Sequence, residues 1–204
     1  MNRTLIETDS LSKSIDQLLA HKGFSLDNRK ICAVGSLSSS LEYHNAILIL
    51  CEKKKYGSSI ALLRSQFESF IKGTWYFHCA SDEEIDDVYN DKLNKTFGSI
   101  LSELKSQDVS AWEDNLLIKN QFWSQLCGFT HTGAPQLGRR FKDGNISPNY
   151  SDELIESMLN LSNLLAFKTL LEMLLHVDEH VPKEEIVQVI SSNRMLKDLY
   201  NDGL

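Results

Sequence analysis

Residues 57–80 read GSSIALLRSQFESFIKGTWYFHCA. The interior of this stretch has no proline and a single glycine, Gly73, so it predicts an unbroken helix about 35 Å long. Projected at about 100° per residue, Ile60, Leu63, Phe67, Phe70, Ile71, Trp75 and Phe77 share one broad apolar arc. Arg64 falls inside that arc, between Ile71 and Trp75, while Ser65, Ser69, Lys72 and Tyr76 lie opposite. An arginine aimed at a core keeps its charge and must find acceptors. Glu68, one turn on, supplies one.

Working outward toward the N-terminus, a second helix is expected over residues 27–54. Leu37, Leu41, Ile47, Leu48 and Cys51 share one arc with His44 at its centre, whereas Gly35 and the serines of 36–40 weaken the first half. The turn between the two helices is short, which makes them antiparallel neighbours. An earlier helix is expected over 10–22, with Leu11, Ile15, Leu18 and Leu19 as its buried stripe and Gly23 as its stop.

Toward the C-terminus, Ser81-Asp-Glu-Glu84 has the capping-box pattern, after which Ile85, Val88, Phe97, Ile100, Leu101 and Leu104 repeat at helical spacing. Ser110-Ala-Trp-Glu113 repeats the signature and opens a helix bearing Trp112, Leu116, Phe122, Trp123 and Leu126, ending near Gly128. Residues 129–150 hold Gly133, Pro135, Gly138, Gly144 and Pro148 and read as one long loop, a type that is often functional. Residues 151–177 are apolar over much of the helical circumference, as in a helix covered on several sides. Pro182 suits the first turn of a last helix over 182–199, with Glu184 and Glu185 where the dipole favours them. No strand and no internal repeat is expected. The fold class is all-α: one domain, 1–204, of about seven helices, with its main bundle over 27–177.

Composition narrows the function classes. Hydrophobic content of 42% and charged content of 24% describe a soluble globular chain with enough apolar residues for a proper core. The formal charge of −7 argues against non-specific nucleic-acid binding over the whole surface, and leaves room for a local basic patch. The opening MNRTLIETDS lacks the apolar region of a signal peptide, and the longest apolar run, 46–51, is far too short for a membrane span. Cys32, Cys51, Cys79 and Cys127 form no CxxC pair and read as reduced core thiols of a cytoplasmic protein.

The candidate chemistry is a polar cluster. His44 and Arg64 each occupy the apolar face of a different helix, Glu68 flanks Arg64, and His131 sits in FTHTG just past a third amphipathic helix. Histidine and arginine together could perform general acid–base work on a phosphodiester, the imidazole moving a proton and the guanidinium holding charge on phosphate. The same residues could instead form a buried Arg64–Glu68–His44 network that fixes helix register. Arg139, Arg140 and Lys142 in the long loop are candidates for substrate phosphates, or else a solvated basic loop. His176-Val-Asp-Glu179-His180 matches the zinc pattern His-x-x-Glu-His, but it stands at the end of a helix, two residues before Pro182, so no metal is assigned there. No P-loop, GxGxxG fingerprint or GxSxG elbow is present, and no cofactor is implied.

The segment SSIALLRSQFESFIKGTWYF, together with FTHTG, resembles a group of uncharacterised prokaryotic all-α families that are themselves similar to the HEPN superfamily of helical bundles. The resemblance spans about residues 37–176. It implies a bacterial defence or toxin–antitoxin setting, RNA or a nucleotide as ligand, an antitoxin or other protein partner, and a homodimer in which two sites face one groove. HEPN ribonucleases carry an arginine four to six residues before a histidine. With His131 as that histidine, Gln125 stands where the arginine belongs, and a neutral amide cannot hold phosphate as a guanidinium does. Two readings follow: a metal-independent endoribonuclease using His131, with Arg64 as its phosphate clamp and His44 and Glu68 orienting them, or a non-catalytic helical binding module.

Overall fold

A computed structural model describes residues 2–25, 27–107, 122–178 and 180–200 of the chain. Among these, ten helices and one short hairpin form an all-α architecture, rather than about seven helices. They are α1 (Asn2–Leu19), α2 (Asn28–Glu52), α3 (Tyr56–His78), α4 (Asp82–Tyr89), α5 (Phe97–Ser106), α6 (residues 122–130) and α7 (Ala134–Leu137), then strands β1 (Phe141–Lys142) and β2 (Asn145–Ile146), then α8 (Asp152–Leu174), α9 (Lys183–Ser191) and α10 (Arg194–Tyr200).

The helix starts follow from local chemistry. The side chains of Asp27, Ser81, Thr96 and Ser151 each accept a backbone N–H at the head of α2, α4, α5 and α8. At Ser81 the capping box closes on both sides with Glu84, as expected. The second expected box, Ser110–Glu113, together with Trp112 and Leu116, lies outside the described residues.

The extra helices come from breaks that periodicity does not register. Asp91, at φ 55°, ends α4, and a new cap at Thr96 starts α5, so the apolar repeat of 85–104 belongs to two helices. Lys95 in the connection bonds Glu103 at 2.6 Å, pairs with Glu84, and lies 4.6 Å over the Trp75 ring. The last expected helix likewise divides: buried Asn193 accepts the Leu196 N–H at 3.2 Å and restarts the chain as α10. The first helix begins at Asn2 rather than residue 10. Thr4 and Thr8 are buried there, with the Thr8 hydroxyl donating to the Thr4 carbonyl and accepting from Asn163, so this turn packs through threonines that an apolar pattern overlooks. The 129–150 loop contains α7 and a hairpin whose Asp143–Gly144 turn has both φ angles positive, at 51° and 78°.

The core sits around the antiparallel α2–α3 hairpin, with α8 packed across both helices and α1 against α8 and α2. Leu37, Leu63, Phe67, Ile71, Trp75, Leu159, Leu165 and Leu170 are fully covered. Two features set how closely α2, α3 and α8 approach. One is Gly73, where a Cβ would lie 2.6 Å from Leu37 Cγ and 3.1 Å from the Ala33 carbonyl oxygen. The other is a buried polar seam. Gln66 Nε2 donates to the Ser162 carbonyl at 2.9 Å, the Ser162 hydroxyl returns a hydrogen bond to Gln66 Oε1 at 2.8 Å, and the Ser40 hydroxyl donates to the Gln66 carbonyl at 3.1 Å.

No helix among the described residues is long and apolar enough to cross a membrane. The four cysteines are free thiols; Cys51 is buried and the other three are half-buried.

Leu37 is fully buried and the Ala33 oxygen is backbone, so Gly73→Ala should lower unfolding stability by about 1–2 kcal/mol in urea titration, overpacking outweighing the gain in helix propensity. Gly35→Ala, on the open side of α2 with nothing within contact of a new Cβ, should raise it by about 0.5–1 kcal/mol.

Candidate functional site

The site forms where the end of α6 meets the middle of α3. Residues 122–130 are helical, and the chain then reverses: the His131 N–H bonds the Cys127 carbonyl at 2.9 Å and the Gly133 N–H bonds the Gly128 carbonyl at 2.7 Å. This second bond spans five residues, as in a Schellman closure. Thr132 takes the left-handed position at φ 54°, which costs a β-branched residue free energy that glycine would not incur. Gly128 and Gly133 touch directly, since a Cβ on Gly133 would lie 3.1 Å from Gly128 Cα. The tight turn projects His131 over α3, while the Thr130 hydroxyl bonds the Leu126 carbonyl at 2.9 Å and reaches the Ala61 carbonyl of α3 at 3.3 Å.

Arg64 is held on three sides. Its Nε donates to Glu68 Oε1 at 2.7 Å, its Nη1 donates to His131 Nε2 at 2.6 Å, and its guanidinium carbon lies 5.0 Å over the Trp123 ring. Trp123 is braced in turn by Phe97, stacked at 4.9 Å and 13°, and by the edge of Phe67. The arginine is not buried in hydrocarbon as its place on the helical arc predicts. Its side chain is 23% exposed and that of Glu68 27%, and His131 is exposed. Because α6 covers the flank of α3 with an indole, the guanidinium lies along the rim of the core. A guanidinium has no acceptor, so the contact fixes the imidazole role: Nε2 presents its lone pair to Arg64 and the ring is neutral in this arrangement.

His44 does not join the cluster. It lies 1% exposed in the seam, where its Nδ1 is 2.9 Å from the Ser162 hydroxyl. Ser162 already donates its proton to Gln66 Oε1, so Nδ1 carries the hydrogen and donates, leaving Nε2 as a covered lone pair without a partner. The expected Arg64–Glu68–His44 network is therefore not formed. Its two halves are separate, because the broad arc of α3 faces α2 and α8 on one side and α6 on the other. Gln66, the partner His44 reaches through Ser162, was missed in the sequence as an ordinary polar residue.

Arg139 and Arg140 are brought to the N-terminal end of α3. Arg140 Nη2 lies 3.6 Å from where a Cβ on Gly57 would stand, and Arg139 lies 6.0 Å over the Tyr150 ring. Gly57 and Arg64 are seven residues apart and so lie on the same face of α3, about 10 Å along it. Lys142 lies on the exposed hairpin. The His176–His180 pair does not share a helix face, because α8 ends at Leu174; Glu179 lies outside the described residues.

A family model matches residues 37–196, which covers α2 from Leu37 onward, α3, α6, the FTHTG turn and α8. The chain belongs to the Family of unknown function (DUF6988). No curated protein and no solved structure matches it. Every residue of the Arg64–Glu68–Trp123–His131 cluster falls inside the DUF6988 span.

Burial in the seam pulls the His44 pKa from 6.5 down to about 4. A folded-state value below the unfolded one means that the unfolded chain takes up the proton first as the pH falls. The contribution to stability is complete above the unfolded value and is lost as pH drops toward about 4, amounting to about 3 kcal/mol. His44→Gln should flatten that part of the stability–pH profile, measured by chemical denaturation across the window.

Proposed function

We propose that this DUF6988 protein acts on RNA at the Arg64–His131 pair, as a HEPN-like, metal-independent endoribonuclease of a bacterial defence or toxin–antitoxin system. The observation that carries the reading is the direct Nη1–Nε2 contact of 2.6 Å at an exposed position. A phosphodiester arriving there offers the guanidinium a charged acceptor in place of a neutral imidazole, and charge-assisted bonds are the stronger. As Arg64 Nη1 exchanges its hydrogen bond to Nε2 for one to a non-bridging phosphate oxygen, the His131 Nε2 lone pair is released beside the reacting group. The imidazole then takes the proton of the 2′-hydroxyl, the 2′-oxygen bonds phosphorus, and the 5′-oxygen leaves with a proton from solvent. Glu68 keeps the Arg64 plane fixed through Nε, and Arg64 offsets charge developing on the phosphate. Arg139, Arg140 and Lys142 offer cations for neighbouring phosphates along α3. The strained Thr132 beside His131 fits a position held for function. A homodimer would set two such sites across one groove, an antitoxin would occupy that groove, and the cytoplasm would be the setting.

One observation favours a second reading. Gln125, where HEPN ribonucleases carry an arginine if His131 is matched to their histidine, is exposed and neutral, so the same pair could hold a phosphate-bearing ligand or a protein carboxylate without cleaving it.

Purified protein in chelator should cleave single-stranded RNA, and expression should arrest growth. His131→Ala should slow cleavage by about 10²–10⁴-fold with an unchanged melting midpoint. Arg64→Met should abolish both activity and RNA retention. Its cost to stability should be under about 1 kcal/mol, since the Arg64–Glu68 pair is screened by solvent. Absence of cleavage and of growth arrest, with His131→Ala altering complex formation alone, would establish the binding module instead.

A further inference from the structure

At the far end of α3 from Arg64, about 21 Å along the helix, a second polar cluster lies outside the proposed RNA site. His78, the last residue of α3, meets Glu172 in the last turn of α8 and His176 just beyond it. His78 Nε2 is 2.5 Å and His176 Nε2 3.5 Å from the same oxygen, Glu172 Oε1, and one ligand atom from each residue lies within 4.8 Å of the others. We propose that His78, Glu172 and His176 form a binding site for a divalent transition metal of the zinc class, with a fourth position left to water.

The donor set is the first argument. Two imidazoles and one carboxylate are a common three-residue zinc set with an open coordination position. Donors on a tetrahedral ion with bonds of about 2.0–2.2 Å stand about 3.3–3.5 Å apart. His176 and Glu172 already have that spacing, and a swing of about 1 Å by His78, the most exposed of the three at 30%, brings it to the same distance.

The second argument is the state of His176. Its Nε2 is fully covered and makes no well-aligned hydrogen bond; its neighbour is Glu172 Oε1, at an ion-pair distance of 3.5 Å. The ring is clamped face to face on Phe77 at 3.3 Å and 12°. A ring fixed in this way holds Nε2 toward a carboxylate that is itself only 11% exposed, so the three ligand atoms converge on one point. One metal ion would give each of the three atoms a bond of ordinary length, where the His176–Glu172 contact alone is long. The site also lies where α3 and α8 both end, and the negative ends of the two helix dipoles favour a cation.

The sequence motif His176-Val-Asp-Glu179-His180 names one of these ligands but the wrong partners. The pair within the helical repeat is Glu172 and His176, four residues apart, and the third ligand comes from ninety-four positions earlier in the chain.

The test is a titration of metal-stripped, full-length protein with zinc alone, read by calorimetry against a competing chromophoric chelator and by thermal melting. The expected result is one zinc per chain at micromolar concentration, a raised melting midpoint, and visible d–d bands when cobalt(II) replaces zinc. Glu172→Gln, His78→Ala and His176→Ala should each weaken binding at least about tenfold, with circular dichroism confirming that each variant is folded. His180→Ala should bind as the unaltered protein does. Failure to bind zinc, or binding that survives both Glu172→Gln and His78→Ala and is lost in His180→Ala, would overturn the assignment.

Discussion

The arrangement of the bundle depends on one reciprocal hydrogen-bonded pair, Gln66 with Ser162. Two bonds, of 2.9 and 2.8 Å, join the middle of α3 to the middle of α8 in a region closed to water. Ser40 from α2 and His44, also from α2, attach to the same pair. A buried amide left unpartnered would cost about 1–3 kcal/mol, so the seam permits one axial register among the three helices and disfavours slippage. About two turns further along α3, Gly73 lets α2 approach closely, since a Cβ there would press on Leu37 and the Ala33 carbonyl. Apolar packing alone tolerates many nearly equivalent offsets, and these polar groups select among them.

With that register set, the positions of the outer residues follow. Arg64 lies on the side of α3 that faces α6, two residues before Gln66, so the helix that locks the core through one side chain offers a cation at the rim through another. The indole of Trp123 separates the guanidinium from the apolar interior, and the Schellman-type turn after α6 brings His131 to it. At the far end of the same helix, His78 meets the end of α8. Both polar clusters therefore sit where helix ends or turns cross α3, and neither lies in the middle of the bundle, where charge would be too costly.

The elements were largely legible. The capping box at Ser81, the helix starts near Asp27 and Ser151, the antiparallel α2–α3 hairpin and the apolar α8 follow from local pattern. The breaks at Asp91 and Asn193 were not legible, because neither proline nor glycine marks them; side-chain bonds from Lys95 and Asn193 stabilise them instead. The N-terminal turns of α1 were hidden because threonines face α8 there. Of the site, Arg64 with Glu68 was readable from four-residue spacing, and His131 from its place beside a loop. His44 was drawn in wrongly. An arc that wide touches several neighbours, and a helical projection does not say which neighbour each residue meets.

Sequence alone determined that the chain is helical, where α2, α3, α4, α8 and α9 begin, and that a charged residue interrupts the apolar face of α3. Capping and periodicity are interactions within a few residues, so they are written locally. Only the tertiary structure decided that Arg64 pairs with His131 rather than His44, and that His176 pairs with Glu172 and His78 rather than His180. The Arg64–His131 and His78–Glu172 contacts join residues 67 and 94 positions apart. They depend on the rotation and register of packed helices, which the buried seam sets and which no single helix encodes.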